Sequence, residues 1–287
     1  MKNGILIIDK EKGVTSRDVV NQVCKKLSTK RIGHTGTLDP LATGVLVLAV
    51  GEATKLVPFL TSSEKEYIAE VLLGVFTDTL DITGNTLKEE KVQVSEDDVR
   101  QVLEDFPKRY EQEVPKFSAV HVGGKRLYEY ARSDIEVVLP KREVEIKELE
   151  LLSFEKKDGK QYFSFRCVVS KGTYIRSLIS DIGKELKVSS TMTNLRRTRQ
   201  GIFDIEKAKD VTEITFDDMI SMKDSLSNYP VYVVSSDEEL FQVKNGCKLK
   251  KEMDGITSFV DKEGHLLAIY ERKEEGMSRP LKVFHDN

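Results

Sequence analysis

Hydrophobic positions along the chain change period several times, and each change predicts an element. Residues 4–9, Gly-Ile-Leu-Ile-Ile-Asp, read as a short buried strand. Val19, Val20, Val23 and Leu27 then recur at helical spacing behind Ser16, a residue type that caps helix N-termini. Residues 33–44 hold three glycines, a proline and several threonines, which makes them a loop, and they run straight into an apolar strand over 45–50. A helix is expected over 52–60, a strand over 67–75 and turns over 77–84. Ser95 with Asp98 three residues on gives a capping-box start to a helix reaching Leu103. Val144, Ile146, Leu149 and Leu151 predict one long strand with a slip in register, Phe163, Phe165, Cys167 and Val169 alternate in the next, and helix resumes over 173–186. The pattern weakens after Asp210. A new unit of short strands begins near Tyr229-Pro230, with strands expected at 231–234, 256–260 and 266–270 and a helix capped by Ser236 with Glu239 at its third position. This pattern supports an α+β class, with a large domain over 1–228 and, beyond a boundary near residue 229, a small, mostly β domain over 229–287.

Composition narrows the class. Of 287 residues, 39% are hydrophobic and 32% charged, the balance of a globular chain rather than a disordered or membrane one. The longest apolar run, 44–50, is far too short to span a bilayer. Residues 1–12 scatter charges among isoleucines, unlike a signal peptide, so the expectation is a cytoplasmic protein with no membrane partner. Cys24, Cys167 and Cys247 lie far apart and form no CxxC pair, and none of the four histidines stands at zinc-site spacing from a cysteine or another histidine. No metal is expected. A net charge of -3 argues against a uniformly basic coat, although Lys25-Lys26, Lys30-Arg31, Lys141-Arg142 and Arg196-Arg197 form positive islands.

The chemistry concentrates in the loop. Gly33-His34-Thr35-Gly36-Thr37-Leu38-Asp39-Pro40-Leu41-Ala42-Thr43-Gly44 places one carboxylate between leucine and proline. Glycines allow close approach of backbone to a ligand, Pro40 fixes φ after the aspartate, and the leucines tend to exclude water around it. An Asp-Pro dipeptide by itself also initiates turns, and the residues alone favour that plainer reading. The glycine spacing matches neither a P-loop nor a dinucleotide-binding fingerprint, which disfavours nucleotide hydrolysis.

The whole twelve-residue loop resembles the catalytic motif of the TruB family of tRNA pseudouridine synthases. The resemblance continues, in order and spacing, through Gly13-Val14-Thr15-Ser16, Lys65-Glu66-Tyr67, the stretch Lys171-Gly172-Thr173-Tyr174-Ile175-Arg176-Ser177-Leu178, and Leu195-Arg196-Arg197-Thr198. It covers roughly residues 3–203, and the tail resembles the PUA-type RNA-binding module that closes many members. The resemblance implies a catalytic domain over 1–228 with a mixed, largely antiparallel sheet and an inserted segment around 85–140, and a PUA-like C-terminal domain over 229–287. It implies that Asp39 is the nucleophile, that Tyr67 stacks on the target base, and that Arg176 pairs with the catalytic aspartate. Tyr174 and Leu195 resemble residues lining the uridine pocket, and His34 one that helps displace T-loop base pairing. Read without the motif, Tyr67 is an aromatic of a sheet core and Arg176 a surface charge. Glu11 stands where the family usually has proline, Val114 replaces a common proline, and His121 sits where lysine is frequent.

The implied reaction is the isomerisation of uridine 55 in the T loop of tRNA to pseudouridine. It needs a flipped base, a nucleophile acting at C6 or at the sugar, and no cofactor. The implied partner is the tRNA T stem-loop, and the enzyme is expected to be a monomer. Two other readings fit the same residues: a non-catalytic tRNA-binding or tRNA-folding protein, and a synthase of this fold acting on a different RNA.

Overall fold

In Ile5-Leu6-Ile7-Ile8 nothing polar alternates with the apolar residues, so the strand Gly4–Lys10 is buried on both faces. It lies antiparallel to Thr43–Val50, with Gly4 opposite Val50 and Lys10 opposite Gly44, while Ile32–His34 pairs along Leu48 to Val50. The computed structural model describes residues 2–133, 135–273 and 276–285. Its contacts divide into two compact units, one of Met1–Pro40, Gly44–Ser62 and Gly201–Asn287, the other of Leu41–Thr43 and Ser63–Gln200.

In the first unit the helix Ser16–Lys26 buries Val19, Val20 and Val23, the face read from their spacing. Its N-cap is Thr15 rather than Ser16: the Thr15 hydroxyl accepts from the Asp18 N–H and the Asp18 carboxylate accepts from the Thr15 N–H, the two bonds of a capping box. The helix expected over 52–60 splits into a 3-10 turn, Gly51–Leu56, and a short helix, Val57–Thr61, because Pro58 has no N–H to carry the ladder across. The C-terminal residues form a four-stranded sheet in the order Val231–Val233, Ile256–Val260, Leu266–Arg272, Ser278–Val283, the first pair parallel and the others antiparallel. The rings of Tyr232, Phe259 and Tyr270 pack in series, 4.8 and 4.5 Å apart, in a core that takes Val243 from the helix Asp237–Lys244. Val260, Leu266, Ile269 and Phe284 join a different core with Ile5, Val47 and Leu56. The first strand of that sheet begins at Val231, and the contacts of 201–287 group with the N-terminal strands.

The second unit is built on an antiparallel sheet in the order Ser190–Gln200, Lys65–Leu73, Lys160–Val169, Lys141–Lys157, Arg109–Glu113. The long strand slips register twice, between Ile146 and Glu148 and between Leu151 and Ser153, where the pattern predicted a single slip. The strand expected over 67–75 ends at Leu73. Gly74 turns it at φ 86°, and Val75–Thr77 leaves to pair with Thr86–Glu89. The inserted segment contributes that strand, the helix Glu96–Asp105 with its Ser95–Asp98 capping box, the edge strand Arg109–Glu113, a small hairpin at 121–126 and the helix Leu127–Arg132. Among the described residues no helix is long and apolar enough to cross a membrane.

Candidate active site

In the first unit, Asp39 is half-buried at the end of a loop that is held from the chain start. Thr35 extends the strand pairing through its N–H to the Val47 carbonyl, 3.1 Å. Leu38, buried, is gripped on both sides by the Ser16 hydroxyl, which accepts from the Leu38 N–H at 2.8 Å and donates to its carbonyl at 3.1 Å. After the aspartate, the Pro40 carbonyl accepts from the Gly13 N–H at 2.7 Å, an approach that follows from the left-handed turn at Gly13, φ 91°. Lys10 is fully buried, and its ammonium donates to the carbonyls of Glu11 and Val14, each 2.8 Å, and of Pro40 at 3.5 Å. His34, half-buried, closes the strand before this loop, opposite Leu48.

In the second unit, Tyr67 is buried on the Lys65–Leu73 strand, opposite Cys167 on one neighbour and Arg197 on the other. Alternation puts Lys65, Tyr67, Ala69 and Val71 on the buried face, and Glu66, Ile68 and Glu70 on the more open one. Leu195 lies opposite Ala69, so it shares the Tyr67 face two positions along its strand from Arg197. Its carbonyl is 3.5 Å from the hydroxyl of Thr43, four residues after Asp39, and that hydroxyl also accepts from Arg196 at 3.4 Å.

Tyr174 precedes the helix Ile175–Glu185 and is fixed by Gln112, whose amide oxygen accepts from the Tyr174 N–H at 2.7 Å while its nitrogen donates to the Tyr174 carbonyl at 3.2 Å. Gln112 also donates to the Tyr110 hydroxyl, which donates to Asp181 at 3.2 Å; burial pushes that phenol well above the usual tyrosine range, so it stays a donor. Arg176 is only 5% exposed, against its plain reading as a surface charge. It donates to the carbonyls of Thr79 at 3.0 Å and Phe117 at 3.1 Å, and its Nε stands 3.9 Å from Asp81 Oδ2. The other Asp81 oxygen accepts from the Thr79 hydroxyl and from the N–H and hydroxyl of Thr83. Leu80, between two of these partners, is held at φ 64°, a conformation that leucine adopts only at a cost of about 1–2 kcal/mol.

The structure thus places Tyr67, Tyr174, Arg176 and Leu195 in one unit, on one sheet face and the helix start beside it, and Asp39 and His34 in the other. Lys10, Asp81 and Gln112 escaped the sequence reading, and Lys65 and Arg197 entered it only within motifs, with no role of their own. All are buried polar side chains, four of them in strands and Asp81 in a turn, and only the dense Thr-Asp-Thr-Leu-Asp run at 77–81 signalled one of them. Arg197 is 1% exposed; with Lys171 it adds positive charge near Lys65, whose pKa falls to about 8, mainly through burial. Potential metal ligands converge, among the described residues, at Asp261, Glu263 and His265, whose ligand atoms lie within 4.8 Å of one another. There Asp261 accepts from the His265 N–H and meets its ring at 3.0 Å, so these contacts close a hairpin turn.

A family model described as TruB family pseudouridylate synthase (N terminal domain) matches residues 24–175, and one described as tRNA pseudouridylate synthase B C-terminal domain matches residues 176–239. The tRNA pseudouridine synthase B of Bacillus cereus is 42% identical over 301 residues, covering 99% of this chain and 98% of that protein. The protein of the same name from Lactobacillus acidophilus is 39% identical over 283 residues, covering 95% of each. Among solved structures, a chain of a Cbf5-Nop10-Gar1 complex superposes with a TM-score of 0.75 at 26% identity, over 99% of this chain and 84% of that one. A chain of an H/ACA RNP bound to a substrate RNA containing 2'-deoxyuridine gives 0.74 at 25% identity, over 99% and 85%. The chain belongs to the TruB family of pseudouridylate synthases.

Proposed function

We propose that this enzyme converts uridine 55 in the T loop of tRNA to pseudouridine, with Asp39 as nucleophile. In the reaction the bond from N1 to C1′ breaks, the uracil turns, C5 bonds to C1′, a proton leaves C5 and N1 ends protonated, so atoms and oxidation state balance. The observation that carries the reading is the grip on Leu38 and Pro40, which fixes the backbone on both sides of the carboxylate. A nucleophile that must meet a single atom of an extruded base gains most from such fixing. Tyr67 offers an aromatic face to the flipped uracil, Tyr174 and Leu195 line its pocket, Arg176 keeps the nucleophile anionic, and His34 helps open the T-loop pairing. The four-stranded C-terminal sheet serves as a PUA-like RNA-binding module, and the enzyme works as a cytoplasmic monomer.

The test uses a T stem-loop transcript labelled with tritium at C5 of uridine. Wild type should release tritium and leave pseudouridine at position 55. Asp39→Asn should bind the transcript as tightly and release none. Turnover by pure Asp39→Asn would overturn the nucleophile, and label released only from other RNAs would overturn the substrate.

A further inference from the structure

Thr15 caps the helix that begins at Ser16, which leaves the Ser16 hydroxyl with no task in the helix. It is 2% exposed and spends both of its hydrogen-bonding capacities on Leu38, a residue 22 positions away: it accepts from the N–H and donates to the carbonyl. A hydroxyl is the smallest side-chain group that can do both at once. One residue beyond Asp39, the Pro40 carbonyl is taken by the N–H of Gly13. The residues on either side of Asp39 are therefore held by one tetrapeptide, Gly13-Val14-Thr15-Ser16, which is itself stiffened by the Thr15–Asp18 capping box and by the buried valines of the helix it starts.

We infer that Ser16 is a positioning residue for Asp39, holding the Leu38 peptide so that the carboxylate is presented in one orientation. This rests on the reading of Asp39 as nucleophile. The helix start and the catalytic loop then form one mechanical piece, and the Gly-Val-Thr-Ser motif exists to aim the aspartate. Alanine at 16 can neither accept nor donate, so both peptide groups of Leu38 lose their partner and the residue before Asp39 is free to rock. Threonine keeps the hydroxyl and adds one methyl group.

The experiment compares wild type, Ser16→Ala, Ser16→Thr and Asp39→Asn in single-turnover pseudouridine formation on a tRNA transcript, with transcript Kd by filter binding and Tm for each. Displacing a reacting group by about 1 Å costs on the order of a hundredfold. Ser16→Ala should therefore slow the chemical step by about 10- to 100-fold, keep Kd within about twofold, and leave Ser16→Thr within about threefold of wild type. Three outcomes overturn the inference: Ser16→Ala within twofold of the wild-type rate, a loss of Kd equal to the loss of rate, or Ser16→Thr as slow as Ser16→Ala. Should Ser16→Ala fail to fold, Ser16→Cys, whose thiol is a weak donor and acceptor, is held to the same criteria. A wild type inactive on the transcript would instead remove the function on which the inference rests.

Discussion

Lys65→Met offers a direct measure of what a buried cation costs this protein. Lys65 is 8% exposed on the face of its strand that carries Tyr67, with its ammonium 2.5 Å from the Ser63 carbonyl. Burial, then the charges of Arg197 and Lys171, lower its pKa from 10.5 to about 8. At about 1.36 kcal/mol per pH unit, the folded state disfavours the protonated form by roughly 3 kcal/mol relative to the unfolded chain. Because the folded pKa of this cation is lowered, the unfolded chain binds the proton more tightly. The penalty is complete below about pH 8, and stability is regained as pH rises from there toward 10.5. Methionine has similar length and no charge, and it forfeits a hydrogen bond worth about 1 kcal/mol. Near pH 7 the variant should thus be more stable than wild type by about 2 kcal/mol, and by pH 9.5 most of that advantage should be gone. Paired urea titrations at the two pH values measure the difference. A gap that does not narrow with pH, or a wild type more stable than Lys65→Met at pH 7, would refute the reasoning. A charge kept at such a cost beside Tyr67 is expected to serve the RNA, so the stabilised variant should also be slower.

Two further substitutions probe the second unit. Tyr67→Ala should lose far more activity than Tyr67→Phe, by about tenfold or more, because the ring face rather than the hydroxyl carries the stacking, worth about 1–3 kcal/mol per base; equal rates for all three proteins in the tritium assay would remove that role. Gln112→Leu removes the two hydrogen bonds that the Gln112 amide makes to the Tyr174 backbone and should destabilise the protein by about 2 kcal/mol, read as a lowered urea midpoint with unchanged slope; an unchanged midpoint would show that the clamp contributes nothing.

Elements whose side chains sort cleanly by burial were legible in the sequence. The strand at 4–10, the valine face of the first helix, the Phe163-to-Val169 alternation and the Ser95 and Ser236 caps all rest on patterns that solvent exposure writes directly into residue types. The strand Ser190–Gln200 was not legible, although it lies next to the Tyr67 strand. Arg197 occupies an inward position there, and a buried arginine in the run Leu-Arg-Arg-Thr-Arg erases the alternation by which a strand is recognised. The edge strand Arg109–Glu113 is hidden for the same reason, since its one buried residue is Gln112. Asp39 stood out because its loop is odd in composition. The groups that fix Tyr174 and Arg176 did not, because Gln112 acts on the Tyr174 backbone and Arg176 donates to the carbonyls of Thr79 and Phe117, and a hydrogen bond to a carbonyl leaves no mark on the sequence of its acceptor.

The same distinction explains how the chain departs from its family's pattern without touching the candidate site. At position 11 the contribution to the loop is a carbonyl, which accepts from Lys10 at 2.8 Å, and any residue offers that, proline included. Glutamate there keeps the bond and changes only the side chain. At position 114 the exchange runs the other way: the Val114 N–H donates to the Pro140 carbonyl at 3.0 Å, a bond that proline could not make, so valine extends the pairing of the edge strand by one step. His121 lies exposed in a small hairpin opposite Arg126, where a cation is gained or lost without altering a buried partner. Positions that serve through their backbone are free to vary. Position 16 serves through its hydroxyl, and there only threonine can stand in for serine.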